Sequence, residues 1–477
     1  AEDKPGSYDK IGLCHRLLAL CSIHRRHAKL VQVPASGVLD RGRQASRGVL
    51  QLLKRTLIGL MSLLVIGGAG FAALAWRPAI APITPPAASS FAPDLIARGE
   101  VVAGAGYCAT CHTAPGGAPY AGGYAMQTGF GTIYSTNITP DPQTGIGAWS
   151  EDAFRRAMHE GVARDGSHLF PAFPYDHFTR LTDADVAALY AYMMTRIPVR
   201  AAPHENGLPF PLNLRPLQAG WKLLFFRPGR YVEQPERGAA WNRGAYLAEG
   251  ISHCGACHTP RNALGAEERG NAFAGAPIDH WVAPPLTKAN PSPVPWSQDE
   301  LVAYLRRGVS RFHGVAAGPM SPVVHDGLAR LPDADIAALG VYFADVGQAA
   351  ARAAEAQPAI ERALAVNAHG PGLPYDPIAR LYAAACASCH FNGGGQVNAL
   401  RPDLALNSAV SLADPTNLIR VMLYGVTARE GAPGIVMPGF APALSDADIA
   451  RIAAYLRASR TSHPAWPDLE KTVAAVR

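Results

Sequence analysis

Six of the eight cysteines fall into three pairs, each spaced Cys-x-x-Cys and each followed at once by a histidine. They are Cys108-Ala-Thr-Cys111-His112, Cys254-Gly-Ala-Cys257-His258 and Cys386-Ala-Ser-Cys389-His390. Two cysteines three apart on a helical turn point to the same side, and the next imidazole projects toward whatever they hold. Each pair can add to the two vinyl groups of one haem while the histidine takes the iron, so the sequence predicts three covalently bound haem c groups. A thioredoxin-type pair needs a βαβ setting, which the pattern lacks. A zinc site needs four ligands in one cluster, and these pairs stand far apart, one in each of three sequence repeats.

Iron in such a site takes a second axial ligand, commonly Met, from the loop before a closing helix. Met320, in Gly318-Pro319-Met320-Ser321-Pro322, and Met437, in Ile435-Val436-Met437-Pro438-Gly439, hold that place in the second and third repeats. Met193, Met194 and Met422 lie on amphipathic helices and read as core. The first repeat has Phe173 where Met belongs, and a phenyl ring cannot ligate iron. His177, in the same loop, is the expected substitute. His168, His159, Met126 and an open site are the other readings.

The elements that must position these residues recur three times. A short helix leads into each triplet, through Arg98-Gly99, Arg243-Gly244 and Arg380-Leu381. An amphipathic helix follows, capped by Ser150 or Ser297 in the first two repeats and beginning in Asp414-Pro415-Thr416 in the third, and ended near Gly161, Gly308 or Gly425. A third helix closes the unit after Leu181-Thr182-Asp183, Leu331-Pro332-Asp333 and Leu444-Ser445-Asp446. The expected fold is mainly α, three tandem class I cytochrome c domains preceded by one N-terminal transmembrane helix. The expected divisions are a basic, poorly ordered tail (1–55), an anchor (56–76), a Pro/Ala linker (77–90), domain 1 (91–200), a linker (201–237), domain 2 (238–350), a linker (351–372), domain 3 (373–465) and a tail (466–477).

Leu57–Trp76 carries no charge and is long enough to cross a bilayer core of about 30 Å. A signal peptide competes with a retained anchor, and the apolar length favours the anchor. Lys54 and Arg55 flank its N-terminal side, which puts the haem domains on the periplasmic side of a bacterial inner membrane. Haem attachment outside the cytoplasm agrees with that topology. Eleven Lys and Arg against four Asp and Glu precede residue 56, whereas the remainder is close to neutral, so nucleic acid is excluded as a partner. Cys14 and Cys21 are too far apart for a common metal pair. Leu217–Phe226, with Trp221 and flanking Arg215, Lys222 and Arg227, reads as an interfacial segment or a buried interdomain contact.

From about Phe91 to Arg460 the chain resembles the three-haem cytochrome c subunit of bacterial membrane-bound dehydrogenases. The resemblance rests on the three triplets, on Gly131-Thr132-Ile133-Tyr134-Ser135-Thr136-Asn137-Ile138-Thr139-Pro140-Asp141 and on Phe170-Pro171-Ala172-Phe173-Pro174-Tyr175. It implies a non-catalytic subunit that passes electrons from a catalytic partner through the haems to ubiquinone. Phe173 in place of the family's usual Met resembles the cytochromes paired with molybdopterin aldehyde or N-heterocycle dehydrogenases. A molybdopterin aldehyde dehydrogenase with a small iron–sulfur subunit is therefore the implied partner. A quinoprotein alcohol dehydrogenase or a flavoprotein gluconate or sorbitol dehydrogenase is the alternative, and a haem enzyme with an open site in domain 1 is the second.

Overall fold

The computed structural model describes residues 36–368, 376–391, 397, 399, 401–431 and 434–477, with side chains from Arg47 onward. The chain divides into two compact units, Ala1–Gly70 and Phe71–Arg477. A single helix, α1 (Ser36–Ala75), crosses that division. Its stretch Arg47–Ala75 is the one helix, among the described residues, long and apolar enough to cross a membrane by length and composition. The helix begins well before the expected anchor, so the basic segment from Ser36 to Arg55 is helical, where a poorly ordered tail was expected. Residues 1–35, with Cys14 and Cys21, lie outside the described residues.

In the body, each repeat contributes three helices as the sequence predicts. The first has α2 (Pro93–Ala105), α3 (Glu151–Glu160) and α4 (Asp183–Met194). After α5 (Leu217–Phe225), the second has α6 (Ala239–Tyr246), α7 (Gln298–Arg307) and α8 (Asp333–Val346). The third has α9 (Pro377–Tyr382), α10 (Thr416–Tyr424) and α11 (Asp446–Arg460). Ser150 and Ser297 cap α3 and α7 by accepting from Ala153 N and Glu300 N, and Ser445 forms a capping box with Asp448. Three two-stranded antiparallel hairpins complete the body: β1 (Ala125–Thr128) with β2 (Gly131–Tyr134), β3 (Ala276–Ile278) with β4 (Trp281–Ala283), and β5 (Val309–Ser310) with β6 (Gly314–Val315).

The first and last helices of a repeat cross at backbone contact. A Cβ on Gly99 would stand 2.0 Å from the Ala188 carbonyl oxygen, and one on Gly244 would stand 2.1 Å from that of Ala338. Beside each crossing an arginine meets a buried aspartate: Arg98 Nε to Asp185 at 2.8 Å, and Arg243 to both oxygens of Asp335 at 2.8 Å. The third repeat departs from this, with Leu381 in the glycine's place and Asp448 bonded to Arg451 and Ser445.

Sequence repetition suggests separate cores, yet the first two repeats share one. Phe154, Leu189, Trp241, Ile251, Leu339 and Tyr342 belong to a single buried cluster, while the third repeat packs its own around Ile419, Ile449 and Trp466. Polar bonds reinforce the weld: Tyr246 donates to Asp185, and Arg180 meets Glu249 at 2.9 Å. The expected linker 351–372 is helical over Ala356–Ala368 and packs with Val294 and Leu406 in a third cluster.

Filling either crossing forces the helices apart, and overpacking of this kind costs about 1–3 kcal/mol. Gly99→Ala and Gly244→Ala should each lower the thermal midpoint by that equivalent, whereas Gly270→Ala, with nothing within 4 Å of its Cβ, should leave it unchanged. Thermal unfolding followed by circular dichroism makes the comparison.

Candidate haem sites

Each triplet ends in an imidazole held the same way. His112 Nδ1 bonds to the Thr136 carbonyl at 2.7 Å, His258 Nδ1 to that of Pro284 at 2.8 Å, and His390 Nδ1 to that of Pro402 at 3.1 Å. A carbonyl only accepts, so Nδ1 carries the proton and Nε2 keeps its lone pair for a metal, the arrangement expected of a metal-ligating histidine. Burial lowers the pKa of all three rings, which holds them neutral. Burial also pushes the Cys108 and Cys254 thiols up to about 12 and the Cys257 and Cys386 thiols up to about 11. Neutral thiols this deep are poor thiolate nucleophiles in the absence of a bound group.

The second and third triplets open onto one apolar cavity of about 630 Å³. Cys254, Cys257 and His258 line it with Met320, and Cys386, Cys389 and His390 line it with Met437. Both methionines named from the sequence thus face the cavity that their triplets face. Gly425, at φ 77°, lets the second of these loops close in: a Cβ there would stand 2.2 Å from the Met437 carbonyl oxygen. Met193, Met194 and Met422 are buried, and Met422 also reaches the cavity wall.

The first triplet adjoins the second. Tyr107 and His253, each just before the first cysteine of its motif and each at positive φ, face each other with ring centroids 4.5 Å apart. Burial raises the Tyr107 hydroxyl well above its usual value, and Tyr107 lines the cavity together with Cys254 and Cys257. The sequence signal for this contact is an aromatic ring directly before Cys108 and before Cys254, which an inspection for iron ligands alone does not single out.

His177 occupies a different place from the one expected of an iron ligand. Its Nδ1 bonds to the Glu249 carbonyl at 2.9 Å and its Nε2 to Glu267 at 2.8 Å, so neither nitrogen is free. Helix packing carries the ring across to the second repeat, where its Cε1 lies 3.0 Å from the position of a Cβ on Gly255. His168 is committed too, with Nε2 on the Ala75 carbonyl at 2.9 Å and Nδ1 3.1 Å from Lys222 Nζ. His159 lies buried 3.6 Å from Asp183, and Met126 sits half-buried on β1. Phe173 packs edge-on against Phe178, with ring centroids 5.2 Å apart.

Burial works to lower His177 and to raise Glu267, yet the bond between them prevails, holding His177 above and Glu267 below their ordinary values of 6.5 and 4.5. The carboxylate's contribution is complete above its unfolded pKa and fades as pH falls through its folded value. The imidazole's is complete below its unfolded pKa and fades as pH rises through its folded value. Glu267→Gln should therefore lower the thermal midpoint most between about pH 4.5 and 6.5, and the gap from the parent should narrow as pH climbs past the raised His177 value. Melting curves of the two proteins across pH measure it.

Comparison with known proteins agrees with this geometry. A family model described as cytochrome c matches residues 96–196, and one described as cytochrome c oxidase, cbb3-type, subunit III matches residues 374–456. The chain is 48% identical over 409 residues to a nicotinate dehydrogenase subunit of Pseudomonas putida, covering 85% of this chain but 34% of that protein, about a third of its length. It is 40% identical to the fructose dehydrogenase cytochrome subunit of Gluconobacter japonicus, covering 79% of this chain and 81% of that one. It is 38% identical to the gluconate 2-dehydrogenase cytochrome c subunit of Pantoea cypripedii, covering 80% and 89%. With cytochrome c domains that imply covalently bound haem c, the chain belongs to the electron-transfer cytochrome c subunits of dehydrogenase complexes.

Proposed function

We propose that this chain carries three haem c groups in a line and passes electrons from a molybdopterin-type dehydrogenase subunit, with its small iron–sulfur partner, to ubiquinone in the inner membrane. The observation that carries the reading is the threefold recurrence of a Cys-x-x-Cys-His whose imidazole Nδ1 is spent on a backbone carbonyl. Haem, when bound, supplies reversible one-electron chemistry. The paired cysteines would hold each group, with His112, His258 and His390 as iron ligands and Met320 and Met437 as the further donors that line the cavity. The contact of Tyr107 with His253 favours close approach of the first and second haems, and the common cavity favours close approach of the second and third. A relative named for nicotinate, an N-heterocycle, supports the molybdopterin-type partner over the quinoprotein and flavoprotein alternatives.

A membrane setting is supported by α1 and by the surface beside its end. The last turn, from Phe71, belongs to the body, and a Cβ on Gly220 of α5 would stand 3.5 Å from its Phe71 ring. The inner face of α5 is fixed by Lys222, whose Nζ donates to the Glu160 and Gly161 carbonyls at 2.6 and 2.7 Å. Its outer face leaves Leu223 and Leu224 63% and 59% exposed. An apolar face beside the end of a spanning helix suits the lipid interface.

Purification of the whole complex tests the reading. Pyridine haemochrome analysis should give three haems per chain, and Cys254→Ala with Cys257→Ala should leave two. The complex should stay with the membrane pellet through a carbonate wash, contain molybdenum and iron–sulfur clusters, and reduce a ubiquinone analogue. Two haems in the parent protein, or a flavin or quinone cofactor in place of molybdenum, would overturn the corresponding part.

The commitment of His177 and His168 favours one refinement: the first haem has an open sixth side, walled by Phe173. Carbon monoxide should bind one haem of the three in the reduced protein. Binding at none would mean that another donor closes the site, and Met126→Leu would then show whether it is Met126.

A further inference from the structure

His313 is 4% exposed, and neither of its ring nitrogens has a hydrogen-bond partner. Buried polar groups are almost always bonded, so such a ring calls for an explanation. It is no loose side chain. Its ring stacks on Trp296 at 3.8 Å with planes 13° apart. Its backbone N–H donates to Ser310 Oγ at 3.1 Å, and its carbonyl accepts from Ser408 N at 3.3 Å. Ser310 belongs to the second repeat and Ser408 to the third, so the ring is clamped where the two meet. It lines the cavity that both triplets face.

Arg352 lines the same cavity, with its donors on the Asn290 and Ser292 carbonyls at 3.2 Å each and its charge paired to Glu355 at 2.9 Å. Burial, and then the charge of Arg352, pushes His313 down to about 3, so the ring is neutral and offers one N–H. A buried N–H without a partner in the lining of an apolar cavity suits an acceptor on an otherwise apolar guest. Haem has that form: a flat hydrocarbon ring with two carboxylates at one edge.

We propose that His313 donates its free N–H to a propionate carboxylate of a haem at the junction of the second and third repeats. This rests on the reading of the cavity as a haem site. The role is one of positioning and tuning: a carboxylate bonded to a donor bears less uncompensated charge, so the ferric state gains less from it and the potential of that haem is held up.

The test uses the full chain and two substitutions. His313→Phe keeps the ring but removes the donor, and His313→Gln restores an N–H. In an optical redox titration, His313→Phe should shift one of the three midpoint potentials downward and leave the other two, while His313→Gln should stay near the parent. Repeating His313→Phe with Cys386→Ala and Cys389→Ala separates the two sources: a shift that persists belongs to the second haem's carboxylate, and one that vanishes to the third's. Three unchanged potentials in a haem-replete His313→Phe protein would overturn the proposal. So would an equal shift in both variants, or a loss of low-spin character in His313→Gln that marks the ring as an iron ligand instead. If His313→Phe loads haem poorly, redox-difference infrared spectra of His313→Gln decide: a displaced carboxylate stretch supports the bond and an unmoved one removes it. The haem count of the parent protein stands apart from these outcomes, and its failure would strike the cavity reading itself.

Discussion

An imidazole has two nitrogens, and it serves as a defined metal ligand only when one of them is held by something else. In this chain a backbone carbonyl does the holding at all three triplets, and much of the local architecture delivers that carbonyl. Thr136 follows β2 by two residues, and Pro284 follows β4 directly. The small hairpins, too short to be stable alone, bring the return strand past the histidine. The third repeat reaches the same end with Pro402 and no hairpin among its described residues, so the constraint recurs even where the scaffold that meets it has changed.

The weld between the first two repeats answers a second constraint. Electron transfer needs cofactors at a short and constant separation, and two domains tethered by a linker would vary it. Here the pairing is rigid because the interface is a hydrophobic core in its own right, crossed by bonds such as that of His177 to Glu267. The same interface sets Tyr107 against His253, so the positive-φ residues that launch the two attachment motifs also join them.

The features that local spacing encodes are legible in the sequence: the triplets, the serine caps, the helix-ending glycines and the methionine loops. Each depends on residues a few positions apart, where sequence distance and spatial distance agree. His177 differs from its expected role because its loop position says nothing of Glu249 and Glu267, which reach it from 72 and 90 residues away. The shared core is hidden for the same reason: repeats look independent in sequence, yet Ile251 and Leu247 fall in one buried cluster with Leu189 and Tyr192. His313 is invisible in sequence because its significance is a missing partner, and a sequence cannot show what a side chain fails to touch. Leu217–Phe226 is legible in composition but open in outcome. The structure makes α5 a helix with one face fixed to the body by Lys222 and the other bare.

The asymmetry among the three sites gives the proposed wire a direction. Methionine ligation raises a haem's potential, and among the described residues only the second and third repeats present a methionine from the loop opposite their histidine. The first repeat, with Phe173 in that loop, should hold the lowest potential of the three. It is also the repeat to which the end of α1 is fixed, through His168 to the Ala75 carbonyl and through the Arg164 carbonyl, which accepts from Ile80 N. Electrons move toward higher potential, so on ligand chemistry alone the first repeat would be the entry of the proposed wire and the two methionine-bearing repeats would lie downstream of it, with the rigid weld fixing the first step.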